Sequence, residues 1–69
     1  MEIRNDMAGK VIEVLVNKGD SVSLGDDLIC LESMKMQMYI SSEESGTVKD
    51  VMVKEGDFVN GGDILIKLE

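Results

Sequence analysis

Residues 9–32, GKVIEVLVNKGDSVSLGDDLICLE, recur as residues 46–69, GTVKDVMVKEGDFVNGGDILIKLE, and this repeat decides the fold. With a constant offset of 37 residues and no gaps, 13 of the 24 positions are identical. Both copies carry the spacing V-x-x-G-D-x-V-x-x-G-D-x-L. Gly-Asp pairs are typical of turns, because glycine accepts a positive φ and aspartate accepts hydrogen bonds from nearby backbone amides. Each copy is therefore predicted to form a strand, a turn, a short strand, a second turn and a final strand.

The segments between the turns have the composition of β-strands. Val, Ile and Leu dominate them, and no period of 3.6 residues is sustained. Strict alternation fails at the polar pair Lys49-Asp50, so we predict β-bulges near residues 12–13 and 49–50 that return Val11 and Val48 to the core. Other predicted core residues are Val14, Val16, Val51 and Val53 at matching positions. On the last strand we expect Ile64, Ile66 and Leu68 on one side, and Lys67 and Glu69 on the other.

Two strand-rich copies of equal length predict an all-β fold. We expect one small domain over residues 1–69, a flattened β-barrel or sandwich with quasi-two-fold symmetry. An exchange of strands between the halves would protect sheet edges that a lone half leaves open. A chain of 69 residues buries only about 60% of its unfolded surface, which leaves little room for an enclosed catalytic pocket. We therefore predict no catalytic residues.

Charge and composition exclude several classes of function. The chain has 14 acidic against 7 basic residues, a net charge of −7, which argues against binding to nucleic acid or to anionic membranes. It has no histidine and a single cysteine, Cys30, which excludes an internal disulfide and argues against a zinc site. Cys30 is expected to be a buried or half-buried strand residue. Without a recognisable signal peptide or long apolar stretch, we expect a cytoplasmic protein that is monomeric on its own.

One lysine stands apart from the other five. Lys35 lies in the junction SMKMQMYISSEES, residues 33–45, whereas the other lysines fall inside the repeats. The junction follows one predicted strand and precedes another, so residues 32–35 are expected to reverse the chain with Met34 and Lys35 at the tip of a hairpin. A lysine at such a tip projects into solvent, where a second enzyme that supplies an activated acyl group has access to its amine.

The junction residues allow a functional and a structural interpretation. Acylation of Lys35 would remove its charge and create a long flexible arm, which is what a carrier of a prosthetic group requires. Most surface lysines are simply solvated, and Met34, Met36 and Met38 are of a type that fills gaps in an aliphatic core. Methionines on both sides of a turn lysine are harder to explain as core residues.

The segment Glu32-Ser33-Met34-Lys35-Met36 resembles the biotin-attachment motif, which is usually written E-A-M-K-M, with serine here in place of alanine. Over residues 5–69 the chain is similar to biotinyl/lipoyl attachment domains, and above all to short stand-alone bacterial ones and to biotin carboxyl carrier domains. The resemblance implies a flattened barrel of two four-stranded antiparallel sheets. It places the modified lysine on the turn between the fourth and fifth strands, far from both termini.

The resemblance also implies a function. Lys35 would be the site of covalent biotin attachment by biotin protein ligase through biotinyl-adenylate, with Glu32, Ser33, Met34 and Met36 as the positions that the ligase recognises. The protein would be a non-catalytic carrier subunit of a biotin-dependent carboxylase, for example acetyl-CoA carboxylase. It would move carboxyl groups from a biotin carboxylase to a carboxyltransferase.

Two alternatives remain open. A lipoyl carrier, or a domain that accepts both biotin and lipoate, is the first, although lipoyl domains usually show D-K-A where this chain has M-K-M. The second is an unmodified barrel module of a transport adaptor. Adaptor barrels usually carry a helical hairpin between their halves, and the 13-residue junction of this chain argues against one.

Overall fold

The structure, a computed structural model, describes all of residues 1–69 and consists of eight β-strands without a helix. The strands are β1 (Glu2–Arg4), β2 (Gly9–Val14), β3 (Ser21–Val22), β4 (Asp27–Ser33), β5 (Met36–Ser41), β6 (Gly46–Val51), β7 (Phe58–Val59) and β8 (Ile64–Leu68). They form two four-stranded antiparallel sheets with the orders β1-β8-β6-β3 and β5-β4-β2-β7. The predicted all-β class and the flattened barrel are confirmed. None of its elements is a helix with the length and apolar character needed to cross a bilayer.

The two halves exchange their shortest strands. β3 belongs to the first copy but pairs with β6 of the second, and β7 belongs to the second copy but pairs with β2 of the first. Each exchanged strand has two residues and forms one edge of its sheet. Very short edge strands offer little backbone to a foreign strand, so the exchange limits edge-to-edge association.

The structural repeat is longer than the sequence repeat. Asn5 exchanges two backbone hydrogen bonds with residues 62–63, and Ser42 exchanges the same two bonds with residues 25–26, at the same offset of 37 positions. Both residues are buried. β1 likewise pairs with β8 as β5 pairs with β4. Residues 2–32 therefore correspond to residues 39–69, and between the two copies only residues 33–38 lie outside the correspondence.

The predicted bulges are present in both copies. The pairing register shifts between Val11 and Glu13 in β2, and between Val48 and Asp50 in β6. Val11 is 0% exposed and Val48 is 1% exposed, so both face the core as predicted. A similar irregularity at Leu65 breaks the alternation expected in the last strand. Its side chain is 0% exposed.

The four matched valines beyond the bulges do not all belong to the core. Val16 is buried, but Val14, Val51 and Val53 are only partly buried and pack against the outside of the core cluster. Together the four valines line an open groove of about 530 Å³ formed by the ends of β2 and β6 and the residues that follow them. The groove leaves Val14, Val51 and Val53 partly open to solvent, so these three were wrongly predicted as core residues.

Candidate functional site

A two-residue turn between β4 and β5 carries the candidate lysine. In this hairpin Ser33 pairs with Met36 and Glu32 pairs with Gln37, which leaves Met34 and Lys35 as the turn itself. We call these two residues the lysine turn. Glu32 and Ser33 belong to β4, so the chain reversal is tighter than the four residues expected from the sequence.

Both residues of the lysine turn have left-handed backbone conformations. Met34 has a φ of 53° and Lys35 a φ of 64°, and they are the only non-glycine residues with a positive φ. Two consecutive positive φ values are typical of a type I′ hairpin turn, which favours Asn-Gly. For a residue with a Cβ atom, this left-handed backbone conformation raises the free energy by roughly 1–2 kcal/mol. Methionine and lysine thus occupy a turn that would be more stable with other residues, which is a common property of functional sites.

We expect the double variant Met34→Asn, Lys35→Gly to be more stable than the parent by about 1 kcal/mol. Asparagine and glycine relieve the left-handed strain, and the greater flexibility that glycine has in the unfolded chain offsets part of this gain. Urea denaturation followed by circular dichroism measures the difference. A variant less stable than the parent would show that the side chains of the turn stabilise the fold.

The side chains around the turn are open to solvent. Lys35 is exposed and makes no hydrogen bond or ion pair within the protein, and Met34 is 92% exposed. Met36 is 65% exposed, whereas Met38 is partly buried and packs against the core. The gap-filling role therefore applies to Met38, and the two methionines beside the lysine have no core function.

The lysine turn and the chain ends lie at opposite ends of the molecule. β2 begins beside Glu32, near the lysine turn, and leads to the turn at residues 17–20. In that turn Gly19 N donates to Val48 O over 2.8 Å, and Val48 pairs with Leu68 at the carboxyl terminus. The longest dimension of the molecule is 31 Å. A partner therefore reaches Lys35 without meeting either terminus.

The hairpin is fixed to the barrel by a close approach at Gly9. A Cβ atom at Gly9 would lie 3.0 Å from the carbonyl oxygen of Glu32, closer than real Cβ atoms usually come to backbone. Gly46 has the same relation to Glu69 at the opposite end, also 3.0 Å. These glycines allow β2 and β6 to lie against the last strand of each copy, which positions Glu32 and the turn that follows it.

Comparison with known proteins agrees with this geometry. The family model described as "Biotin-requiring enzyme" (Biotin_lipoyl) matches residues 1–68. The chain belongs to the biotin/lipoyl family. The resemblance found at the lysine motif is thereby confirmed for nearly the whole chain.

Individual relatives include a biotinylated protein, a carboxylase and a lipoyl domain. The biotinylated protein TB7.3 of Mycobacterium tuberculosis is 43% identical over 37 residues, 54% of this chain and 52% of that protein. The chain thus spans about half the length of the curated relatives it matches first. The urea carboxylase of Kluyveromyces lactis superimposes with a TM-score of 0.93 and 29% identity over 100% of this chain and 6% of that chain. The lipoyl domain of the 2-oxoglutarate dehydrogenase complex of Azotobacter vinelandii gives a TM-score of 0.76 and 27% identity over 90% of this chain and 78% of that chain.

Phe58 is an exposed residue near this site that sequence reasoning did not single out. It lies in β7, at the edge of the sheet that contains the lysine hairpin, and is 80% exposed. The sequence repeat could have identified it, because the matching position in the first copy is Ser21, a small polar residue, so the fold does not require an aromatic residue there.

Proposed function

We propose that this protein is a biotin carboxyl carrier in which Lys35 is the sole site of biotin attachment. The observation that carries the proposal is the lysine turn. An unpaired, exposed lysine occupies a strained two-residue turn between exposed methionines, in a domain of the biotin/lipoyl family. No packing or hydrogen bond of the fold requires these side chains, so their role lies in recognition and attachment.

Attachment would proceed by acyl transfer from biotinyl-adenylate. The neutral Lys35 amine attacks the acyl carbon, the C–N amide bond forms, the bond to the adenylate phosphate breaks, and AMP leaves. The biotin protein ligase supplies the base that accepts the amine proton, because the turn itself holds no side chain hydrogen-bonded to Lys35. The barrel contributes presentation, because the short hairpin leaves the Lys35 side chain exposed at its tip.

Lys35 would hold the biotin, which would supply a carrier for a carboxyl group between a biotin carboxylase and a carboxyltransferase, such as that of acetyl-CoA carboxylase. The domain itself is not a catalyst in this scheme. Glu32, Ser33, Met34 and Met36 are the positions through which the ligase recognises the turn. We place this carrier in the cytoplasm, as a monomer that meets its partner subunits transiently.

Incubation with purified biotin protein ligase, biotin and ATP tests the proposal. Intact-mass analysis should show one added biotinyl group per chain. The labelled protein should then accept radioactive carboxyl from bicarbonate in the presence of a biotin carboxylase and ATP. A chain that stays unlabelled, while a known biotin domain is labelled in the same assay, would contradict the proposal.

A lipoyl carrier is the second candidate, favoured by the likeness to the Azotobacter lipoyl domain. We expect the variant Met34→Asp, Met36→Ala to be biotinylated more weakly and lipoylated better than the parent, because side chains beside the lysine admit one ligase and reject another by fit and charge. Both methionines are exposed, so the free energy of unfolding should change by no more than about 0.5 kcal/mol.

Side-by-side assays with purified biotin and lipoate ligases measure this exchange, with circular dichroism as the control for folding. Met52→Ala is a matched control, because Met52 is also exposed but lies outside the hairpin. If the double variant accepts biotin at the parental rate and still refuses lipoate, the methionines do not determine specificity. An unmodified adaptor barrel becomes the better assignment if neither ligase labels the parent.

A further inference from the structure

The internal repeat separates what the fold requires from what it does not. Phe58 in β7 and Ser21 in β3 occupy equivalent places, since each is the first residue of an exchanged edge strand. Phe58 pairs opposite Lys10, and Ser21 pairs opposite Thr47, the residue that matches Lys10. Because a serine satisfies this position in one half, packing does not demand a phenylalanine in the other. The ring is 80% exposed and lies outside the core cluster.

Phe58 lies at the same end of the molecule as the lysine turn. A cross-strand row runs from Phe58 in β7 to Lys10 in β2, to Glu32 in β4 and to Gln37 in β5. All four side chains are exposed, on the outer face of the sheet. Two strand spacings separate Phe58 from Glu32, about 10 Å, and three residues of about 3.3 Å each separate Glu32 from Lys35.

The ring is supported by its neighbour. The Lys10 Nζ atom lies 6.0 Å from the centroid of the Phe58 ring, at the outer limit of a cation–π contact. Together with Met34 and Met36, Phe58 makes the lysine end rich in exposed apolar side chains. The equivalent row at the opposite end begins with Ser21 and Thr47, which are small and polar. The row that begins with Phe58 therefore lies at the end of the molecule that carries the lysine, and the small polar row lies at the other end.

We propose that Phe58 and Lys10 form a docking surface for the enzyme that acylates Lys35. This inference rests on the proposed function and names two recognition residues outside the attachment motif. The partner surface that fits them has an apolar pocket for the ring and a carboxylate for Lys10. Exposed aromatic residues that fill such pockets dominate the energetics of many interfaces.

The acylating enzyme is the occupant that geometry favours. It must bring the acyl carbon to about 3–3.5 Å from the Lys35 amine before any bond forms, so its surface has to cover the turn. A standard interface buries about 800 Å² on each partner, a patch of about 16 Å radius. Such a patch centred on Lys35 extends to Phe58. Carboxylase subunits, in contrast, reach the attached group through its long arm and have less need to cover the barrel.

Steady-state kinetics of biotinylation by purified biotin protein ligase tests the inference. We expect Phe58→Ser to raise the KM for the carrier at least fivefold and to leave kcat within twofold of the parent. The other half has a serine, Ser21, at the equivalent position, so the midpoint of urea denaturation should be unchanged. Leu24→Ser is the matched control, because Leu24 is 69% exposed and its turn contacts Ser45, away from the lysine hairpin. It should retain the parental KM.

A second variant combines Ser21→Phe with Phe58→Ser. It has as many phenylalanines as the parent, but the ring lies at the end opposite the lysine, so the parental KM should not be recovered. An unchanged KM in Phe58→Ser, or an equal loss in Leu24→Ser, would overturn the inference and leave the attachment at Lys35 intact. A parent that neither biotin ligase nor lipoate ligase labels would overturn both. Dimerisation of the parent that Phe58→Ser abolishes, seen by sedimentation, would assign the surface to a second copy instead and overturn the inference.

Discussion

Lys35→Arg is expected to abolish biotinylation completely. Arginine keeps the positive charge and the length of the side chain, but its guanidinium does not act as an acyl acceptor in this reaction. The remaining five lysines lie inside the repeats and outside the hairpin turn, so none of them should replace it. Intact mass and streptavidin binding after incubation with ligase, biotin and ATP measure the loss.

Lys54→Arg is the matched control for this experiment. Lys54 is also exposed and also lies next to a turn, but in the second repeat. It should be labelled to the same extent as the parent. Streptavidin binding that persists in Lys35→Arg would show that another lysine accepts biotin, and the assignment of the site would be wrong.

Leu65→Ala is expected to lower the free energy of unfolding by about 2–5 kcal/mol, the usual cost of truncating a fully buried leucine. Leu65 is 0% exposed, and so is Leu28, its equivalent in the first copy. A domain of 69 residues has only about 3–10 kcal/mol of stability in total. The variant should therefore be largely unfolded or close to it at 37 °C. Leu28→Ala should behave in the same way.

Urea melts at 25 °C measure these losses, with Leu24→Ala as an exposed control that should change stability by no more than about 0.5 kcal/mol. Val51→Ala should fall between the two, because Val51 is only partly buried. Leu65→Ala with the stability of the parent would mean that the bulge at this position does not direct the side chain into the core.

The sequence alone determined the class of fold and the place of the lysine. The two copies are identical at 13 of 24 positions and share their Gly-Asp turns, which predicted two similar β units. The position of Lys35 between those units then predicted a hairpin tip. The bulges after Val11 and Val48 were predictable as well, because Glu13 and Asp50, two residues further on, are polar where alternation would require an apolar residue.

Only the tertiary structure decided which valines are buried and how far the repeat extends. Val14 and Val51 have the same local pattern as true core residues, and their partial exposure depends on the groove between strands that are distant in the sequence. Asn5 and Ser42 are different residues but make equivalent hydrogen bonds, because these bonds are made by backbone N–H and C=O groups. The identity of the side chain therefore does not reveal them.

The surroundings of the lysine also depended on the tertiary structure. Phe58 is 23 positions from Lys35 in the chain, and the strand exchange brings it into the same sheet as the lysine hairpin. A comparison of the two halves pairs equivalent positions in the sequence, but it does not show which residues are neighbours in space. The surface around Lys35 combines strands from both halves. The motif therefore identified the lysine, but only the pairing of β7 with β2 showed which other side chains surround it.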